Sequence, residues 1–308
     1  MPLGLLLVQA LNGLELGVLL FLIAAGLTLV FGVMDVVNLA HGVQYMLGAY
    51  LAVAAATWTG SFWLGVAVAA LACLVLGALL ERLVFRFLVG ADHLEQVLAT
   101  FGLILLGEEG VKLVWGPAPL SLAMPAALAG TIPLYGGLHY PVYRLGLLGA
   151  GLAVAALLAL VIGRTRTGMR LRAGATNAAM LEALGVNVER LFALVLAAGA
   201  MLAGFAGAVA APVVAVDPGM GGPVLILAFV VIVLGGTGSI GGSFLAALLV
   251  GLTDTLGRGV LDAVLDAVLP PSAAHMAGPA LASMLIYLLM AGVLAFRPGG
   301  LMPARSRT

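Results

Sequence analysis

The sequence predicts an all-α, polytopic transmembrane protein with about 8–10 membrane segments, some of them broken or re-entrant. Of its 308 residues, 63% are hydrophobic and only 8% charged, and the mean hydropathy is +1.23. A soluble domain is about 45–50% apolar. Apolar runs of about 17–25 residues, the length of a helical span, recur from end to end. No stretch shows the alternation over about 10 residues that marks barrel strands. Only helices and closed barrels satisfy their backbone groups in lipid, so these runs read as helices.

Taken in order, the spans fall at 14–33, 43–59, 62–84, 95–115, 143–163, 190–212, 223–234, 242–258 and 279–296. The leading stretch MPLGLLLVQALNG lacks the basic region of a cleaved signal peptide, so the first span is expected to stay. The segment at 223–234 is short for a crossing and fits a half-helix. With nine crossings, Arg82, Arg86, Arg164, Arg166, Arg170, Arg172, Arg190, Arg297, Arg305 and Arg307 share one side, leaving Lys112, Arg144 and Arg258 on the other. The excess of positive charge makes the first side cytoplasmic. The C-terminus is then cytoplasmic and the N-terminus outside; a count of eight or ten would move only the N-terminus. The loop GPAPLSLAMPAALAGTIPLYGGLHYPVY faces outward, as a lid or docking surface or as an irregular connector lying on the membrane.

Net charge is zero, and no basic run carries interleaved aromatics, so nucleic acid is not an expected partner. Cys73 is the single cysteine and reads as a small buried hydrophobe.

The largest polar stretch is GRTRTGMRLRAGATNAAMLEALGVNVERLFALV, 163–195. Its arginines fit topology setting and contact with anionic headgroups. TNAAMLEALG reads as a short helix with Thr176 or Asn177 as N-cap and Gly185 just past its end. Ala178 and Leu181 mark an apolar stripe with Glu182 beside it. Asn187 then caps a second helix that enters the membrane. A short amphipathic helix along the bilayer suits the groove of another protein.

GGTGSIGG contains a formal G-x-G-x-x-G at Gly236, Gly238 and Gly241. Membrane runs flank it where a dinucleotide site needs a βαβ unit, so these glycines are expected to serve a turn or close helix packing. There is no P-loop: the single lysine, Lys112, lacks the glycine pair and the following hydroxyl. If ATP powers the protein, another subunit must hydrolyse it. Glu15, Glu108, Glu109 and Asp254 are candidates by their membrane depth. Glu108, Glu109 and Lys112 have the spacing to pair along one helix. Asp217, before Pro218 and Gly219, reads as a turn residue. Asp262 and Asp266 with Arg258 suggest an amphipathic outer helix. His41, His93, His139 and His275 lie in separate segments, and no Ser/His/Asp or metal-ligand constellation is found, so neither an enzyme nor a metal site is expected.

The stretch GLTLVFGVMDVVNLAHGVQYMLGAY places Asp35, Asn38, His41 and Gln44 three residues apart. On one helix, steps of three would put Asp35 and Gln44 on opposite faces. A broken or re-entrant connection turning at Gly42 suits them better, and it must be enclosed in protein.

That stretch resembles the opening block of the H-type permease subunits of bacterial branched-chain amino-acid ABC importers. VLATFGLILLGEEGVKLVWGP, GATNAAMLEALGVNVERLFALVLAAGAMLAGFAGAV, VIVLGGTGSIGGSFLAALLVGL and FRPGGLMP are similar to later blocks of the family, in order. The resemblance implies one permease domain over 1–308 with a cytoplasmic coupling segment at 164–189, in the inner membrane of a bacterium. It implies an M-type permease partner, two cytoplasmic ATPase subunits that hold the ATP, an extracytoplasmic binding protein, and no cofactor bound by this chain. Ala178, Leu181, Glu182, Ala183, Leu184, Gly185 and Asn187 would then form the ATPase-coupling segment. Asp35, Asn38, His41 and Gln44, with Thr100 and Gly102, are candidates for the translocation path or broken helix. Leucine, isoleucine and valine are the implied substrates. Urea or short amides, whose permeases share the opening block, remain an alternative. An ion-coupled secondary transporter is the alternative of another class; inverted repeats would favour it, but the sequence shows no convincing internal similarity.

Overall fold

The structure, a computed structural model, describes residues 3–134, 137–268 and 270–302. The side chains of Asp262 and Asp266, and residues Arg305 and Arg307, lie outside what is described. The chain is almost wholly helical. Helix α1 spans Leu3–Met34, α2 His41–Thr59 and α3 Phe62–Leu80, which runs through a π turn, Glu81–Phe85, into α4, Arg86–Leu88. Helix α5 is His93–Trp115 and α6 Val142–Arg164. Two short helices, α7 Arg166–Thr176 and α8 Ala178–Ala183, precede α9, Val188–Ala210. Helices α10 Gly221–Gly235, α11 Ile240–Val268 and α12 Pro271–Phe296 complete the chain.

Five helices are long and apolar enough to cross a membrane on those measures alone: Gly4–Met34, Phe62–Leu88, Val142–Arg164, Val188–Ala210 and Ile240–Leu265. The other expected spans coincide with α2, α5, α10 and α12. Helix α2 carries buried polar groups, α5 carries Glu95, Glu108, Glu109 and Lys112, and α10 has only 15 residues. At about 1.5 Å per residue, α10 falls short of the roughly 30 Å hydrocarbon layer, as a half-helix does. Helix α1 begins eleven residues earlier than the breaker pattern suggests, at Leu3 rather than 14. The reason is that Gly13 is a packing residue: a Cβ there would lie 3.0 Å from the Gly251 carbonyl oxygen. Helix α11 likewise runs without interruption past Arg258 to Val268.

The loop between α5 and α6 carries more regular structure than an irregular connector. It contains a 3₁₀ turn, Ala126–Leu128, and an antiparallel hairpin of β1, Thr131–Pro133, and β2, His139–Pro141, with Ile132 opposite Tyr140. Leu120 pairs with Val216 as an isolated bridge.

Helix packing reveals the symmetry that the sequence hides. Helix α1 packs on α11 as α9 packs on α3, α2 on α9 as α10 on α1, and α2 on α3 as α10 on α11. Helices α1 and α9 cross each other, as do α2 and α10, and α5 lies on α2 as α12 lies on α10. Tyr140 donates to Asn12 of α1, and Tyr143 donates to the carbonyl of Val209 at the far end of α9. The start of α1 and the end of α9 therefore share the hairpin end of the molecule. Val33, Met34, Leu191 and Phe192 share one cluster at the opposite, arginine-bearing end. The two halves are inverted repeats. Their seam is lined with small residues, and a Cβ on Gly26 would stand 2.7 Å from the Gly199 carbonyl oxygen. Close backbone contact of this kind drives helix association where lipid removes the hydrophobic difference.

Candidate functional site

Each half contains a break, and the two breaks meet. Helix α1 stops at Met34 because Asp35 adopts φ 55, the left-handed region where asparagine and aspartate pay the least among side-chain-bearing residues. The chain then turns back, and α2 starts at His41, whose Nε2 donates to the carbonyl of Ile23 at 3.0 Å, well inside α1. The second break, 211–220, leads into α10; there Asp217 Oδ1 accepts from Gly219 N at 2.9 Å, the expected turn. The first residues of α2 and α10 touch through glycine, a Cβ on Gly42 lying 2.6 Å from the Gly221 carbonyl oxygen. Gly42 is therefore not the turn read from the sequence. Asp35 makes the break, and Gly42 makes the contact.

The expected enclosure holds for three of the four polar residues. Asn38, His41 and Gln44 are buried, whereas Asp35 is exposed. The side-chain polar atoms of Asn38 and the Tyr50 hydroxyl are enclosed without a protein hydrogen-bond partner, whereas Gln44 lies against the His41 ring. Each such group costs about 1–3 kcal/mol when left unmade. Thr100 is buried but bonds back to Gln96 O at 2.7 Å within its own helix. A Cβ on Gly102 meets nothing within 4 Å, so that glycine is not a close-approach residue.

Gln96 escaped the sequence reading. Its Oε1 accepts from Val37 N at 3.0 Å inside the first break, and its Nε2 donates to the carbonyls of Leu88 and Ala91 at 3.2 Å. One amide thus ties the break to the turn before α5. The available signal was a polar residue one turn before Thr100 on a membrane helix.

A narrow cleft of about 10 Å³ opens where α2, α5 and α10 meet, lined by Leu39, Val43, Met46, Ile104, Leu225 and Glu108, with Gly42, Gly221 and Gly222. It has room for one water-sized particle.

The arginine-bearing end carries the second candidate site. Arg164 ends α6, whereas Arg166, Arg170 and Arg172 lie on a helix, α7, that the sequence reading did not include. Thr165 caps it by accepting from Gly168 N at 3.1 Å. Of the two cap candidates for α8, Asn177 takes the role, accepting from Met180 N at 2.9 Å, while Thr176 bonds back to Arg172 O. Gly185, at φ 84, closes the helix: its N–H bonds Glu182 O at 2.8 Å and Val186 N bonds Leu181 O at 3.3 Å. This is the Schellman pattern. Asn187 caps α9 by accepting from Arg190 N at 2.8 Å. Leu181 is buried in the cluster with Val33 and Leu191, and Ala178 packs at its edge, so these two anchor the knuckle to the helices beneath it. The outer face is Glu182, Ala183, Leu184 and Gly185 with Met180, which the sequence reading omitted; Met180 is 58% exposed and Leu184 75%. Their i,i+4 spacing was the missed signal.

Gly236 at φ 101 and Gly238 at φ 79 form the expected turn between α10 and α11, and Gly238 packs on Gly32. Gly241 lies inside α11 with only a Met302 contact. The C-terminal segment closes over the turn through Leu301 N to Leu234 O at 2.8 Å.

Among the described residues, three of the four ionisable candidates at depth form ion pairs, and Glu108 does not. Glu109 bonds Lys112 at 2.6 Å, and Asp254 bonds Arg258 at 2.6 Å. Glu15 pairs with Arg144 at 3.2 Å, and Asn12 and Tyr140 complete that network. Burial, with the Glu15 carboxylate beside it, pushes the Tyr140 phenol up to about 12.

Comparison with known proteins gives one family. The family described as branched-chain amino acid transport system / permease component matches residues 9–294. The chain is 30% identical over 309 residues to the high-affinity branched-chain amino acid transport system permease protein BraD of Pseudomonas aeruginosa, covering 96% of this chain and 94% of that protein. It is 29% identical over 269 residues to the permease protein LivH of the corresponding system in Escherichia coli, covering 82% and 86%. No solved structure matches it significantly.

Proposed function

The chain belongs to the branched-chain amino acid transport permease family, and from that premise we propose that it is the H-type membrane subunit of an ATP-driven importer of leucine, isoleucine and valine. It is a multi-pass membrane permease. In the proposed assembly an M-type permease completes the passage, two ATPase subunits seat on the Met180–Gly185 knuckle, and an extracytoplasmic binding protein delivers the substrate. The knuckle end, with its arginines and the C-terminus, then faces the cytoplasm of a bacterial cell.

The observation that carries this reading is the knuckle itself. Leu184 and Met180 stand out from a helix end fixed by its cap, its glycine and its buried Leu181. Exposed apolar side chains on a rigid mount, outside the lipid, mark a surface for a partner. The inverted halves are also the architecture of secondary transporters, so the energy source needs a direct test. Labelled leucine uptake is measured in cells with and without the gene, with ion gradients collapsed and ATP maintained. Gene-dependent uptake that persists supports ATP-driven import. Uptake that vanishes with the gradients overturns it, and uptake of urea in place of leucine overturns the substrate.

A further inference from the structure

The cleft between α2, α5 and α10 is aliphatic except for one carboxylate. Leu39, Val43, Met46, Ile104 and Leu225 supply its walls. Gly42, Gly221 and Gly222 leave bare backbone at the crossing, and a Cβ on Gly222 would meet nothing within 4 Å. Glu108 is the only ionisable residue in the lining. It is half-buried and makes no direct hydrogen bond or close ion pair among the described residues, sharing the Lys112 charge only at longer range. Its neighbour Glu109 takes the Lys112 ammonium instead, at 2.6 Å. A carboxylate at membrane depth is expensive, and one that faces a cavity marks a solute pathway. The cleft also lies where the two broken helices of an inverted repeat begin, the general location of solute sites in such folds.

We propose that Glu108 receives the ammonium group of the amino acid as it passes the α2–α10 crossing, while the aliphatic lining receives the branched side chain. A single anionic group in an apolar cleft selects a solute that is cationic at one point and hydrocarbon at another. Leucine, isoleucine and valine present an ammonium group and a branched hydrocarbon side chain beside their carboxylate, which would have to face away from Glu108. Asn38, His41 and Gln44 are not in this lining, so the path runs beside the polar cluster rather than through it. The cleft must widen to admit a solute, and the wall that carries Glu108 is the one the chain holds least. Helix α5 rests chiefly on α2 and exposes Leu98, Phe101, Leu105 and Leu106.

The proposal rests on the import reading, and the experiment separates the two. The complete transporter, with its partner permease, ATPase subunits and binding protein, is reconstituted in proteoliposomes and assayed for labelled leucine uptake. Absence of ATP-dependent uptake in the unmodified complex removes the import reading and this proposal with it. Given that uptake, Glu108→Gln is expected to lower it at least ten-fold while assembly and binding-protein-stimulated ATP hydrolysis persist. Glu108→Asp restores part of it, and Glu109→Gln stays within two-fold of the unmodified complex. Glu108→Gln uptake within two-fold of normal overturns the assignment. So does a loss that comes with failed assembly or failed ATP hydrolysis, because Glu108 would then hold a partner helix rather than a solute.

Discussion

Replacing Gly185 tests the knuckle without touching anything else. The residue sits at φ 84, and a Cβ built there meets nothing within 4 Å. No side chain at this position clashes, so the whole penalty is conformational. An L-residue forced into the left-handed region costs roughly 1–2 kcal/mol, which shifts a local equilibrium about 5–30-fold. Helix α8 has only six residues and little stability of its own. That shift therefore unwinds the closing bonds from Gly185 to Glu182 and from Val186 to Leu181, and it frees Leu184 from its fixed position. Gly185→Val is expected to lower leucine uptake and uncouple it from ATP hydrolysis in proteoliposomes, with faster hydrogen exchange at 178–186 and an unchanged melting temperature. Asparagine tolerates the left-handed region, so Gly185→Asn should retain most of the uptake. If Gly185→Val transports normally, or if Gly185→Asn fails as badly as valine, the conformational argument is wrong.

Other outcomes follow from neighbouring geometry. Leu184→Asp, at a side chain 75% exposed, should abolish ATPase attachment in a pull-down while the permease still inserts and melts normally. Glu15→Ala removes the carboxylate beside Arg144, which is 35% exposed and keeps its bond to Asn12, so solvent screening limits the loss to about 1–2 kcal/mol, read from thermal unfolding in detergent. Gln96→Leu removes three hydrogen bonds and orphans Val37 N, which costs about 1–3 kcal/mol. It should show as faster exchange confined to residues 35–40 and 88–91.

The sequence made visible whatever depends on local chemistry. Asn187 before an apolar run and Gly185 after a short one are caps by residue type, and both hold in the structure. The apolar runs placed the helices because lipid leaves the backbone no other solution. Properties created by packing were hidden. Gly13 and Gly42 look like breakers in a line of text, yet each is a glycine because another backbone lies against it. Asp35 does the turning because its short polar side chain tolerates a positive φ, a fact of conformation and not of hydropathy. The inverted repeat shows in helix order and contacts and not in the residue identities of the two halves. Thr100 and Gly102 entered by resemblance, and neither lines the cleft. Glu108 was legible only as one of several charges at depth, because the partner that sets it apart, Lys112, can reach either glutamate by spacing alone.

The knuckle and the cleft are joined by a short chain of rigid contacts. Leu181 of the knuckle packs in the cluster that holds Val33 and Met34, the last turn of α1. The next residues form the break, and Gln96 clamps it through Val37 to the foot of α5. From there α2 leads to Gly42 and Val43, and α5 leads to Ile104 and Glu108, so both reach the cleft. A displacement of α8 thus acts on the two helices that flank the cleft. A tightly packed seam does not deform continuously, and the small-residue contacts at Gly26–Gly199 and Gly42–Gly221 admit discrete arrangements only.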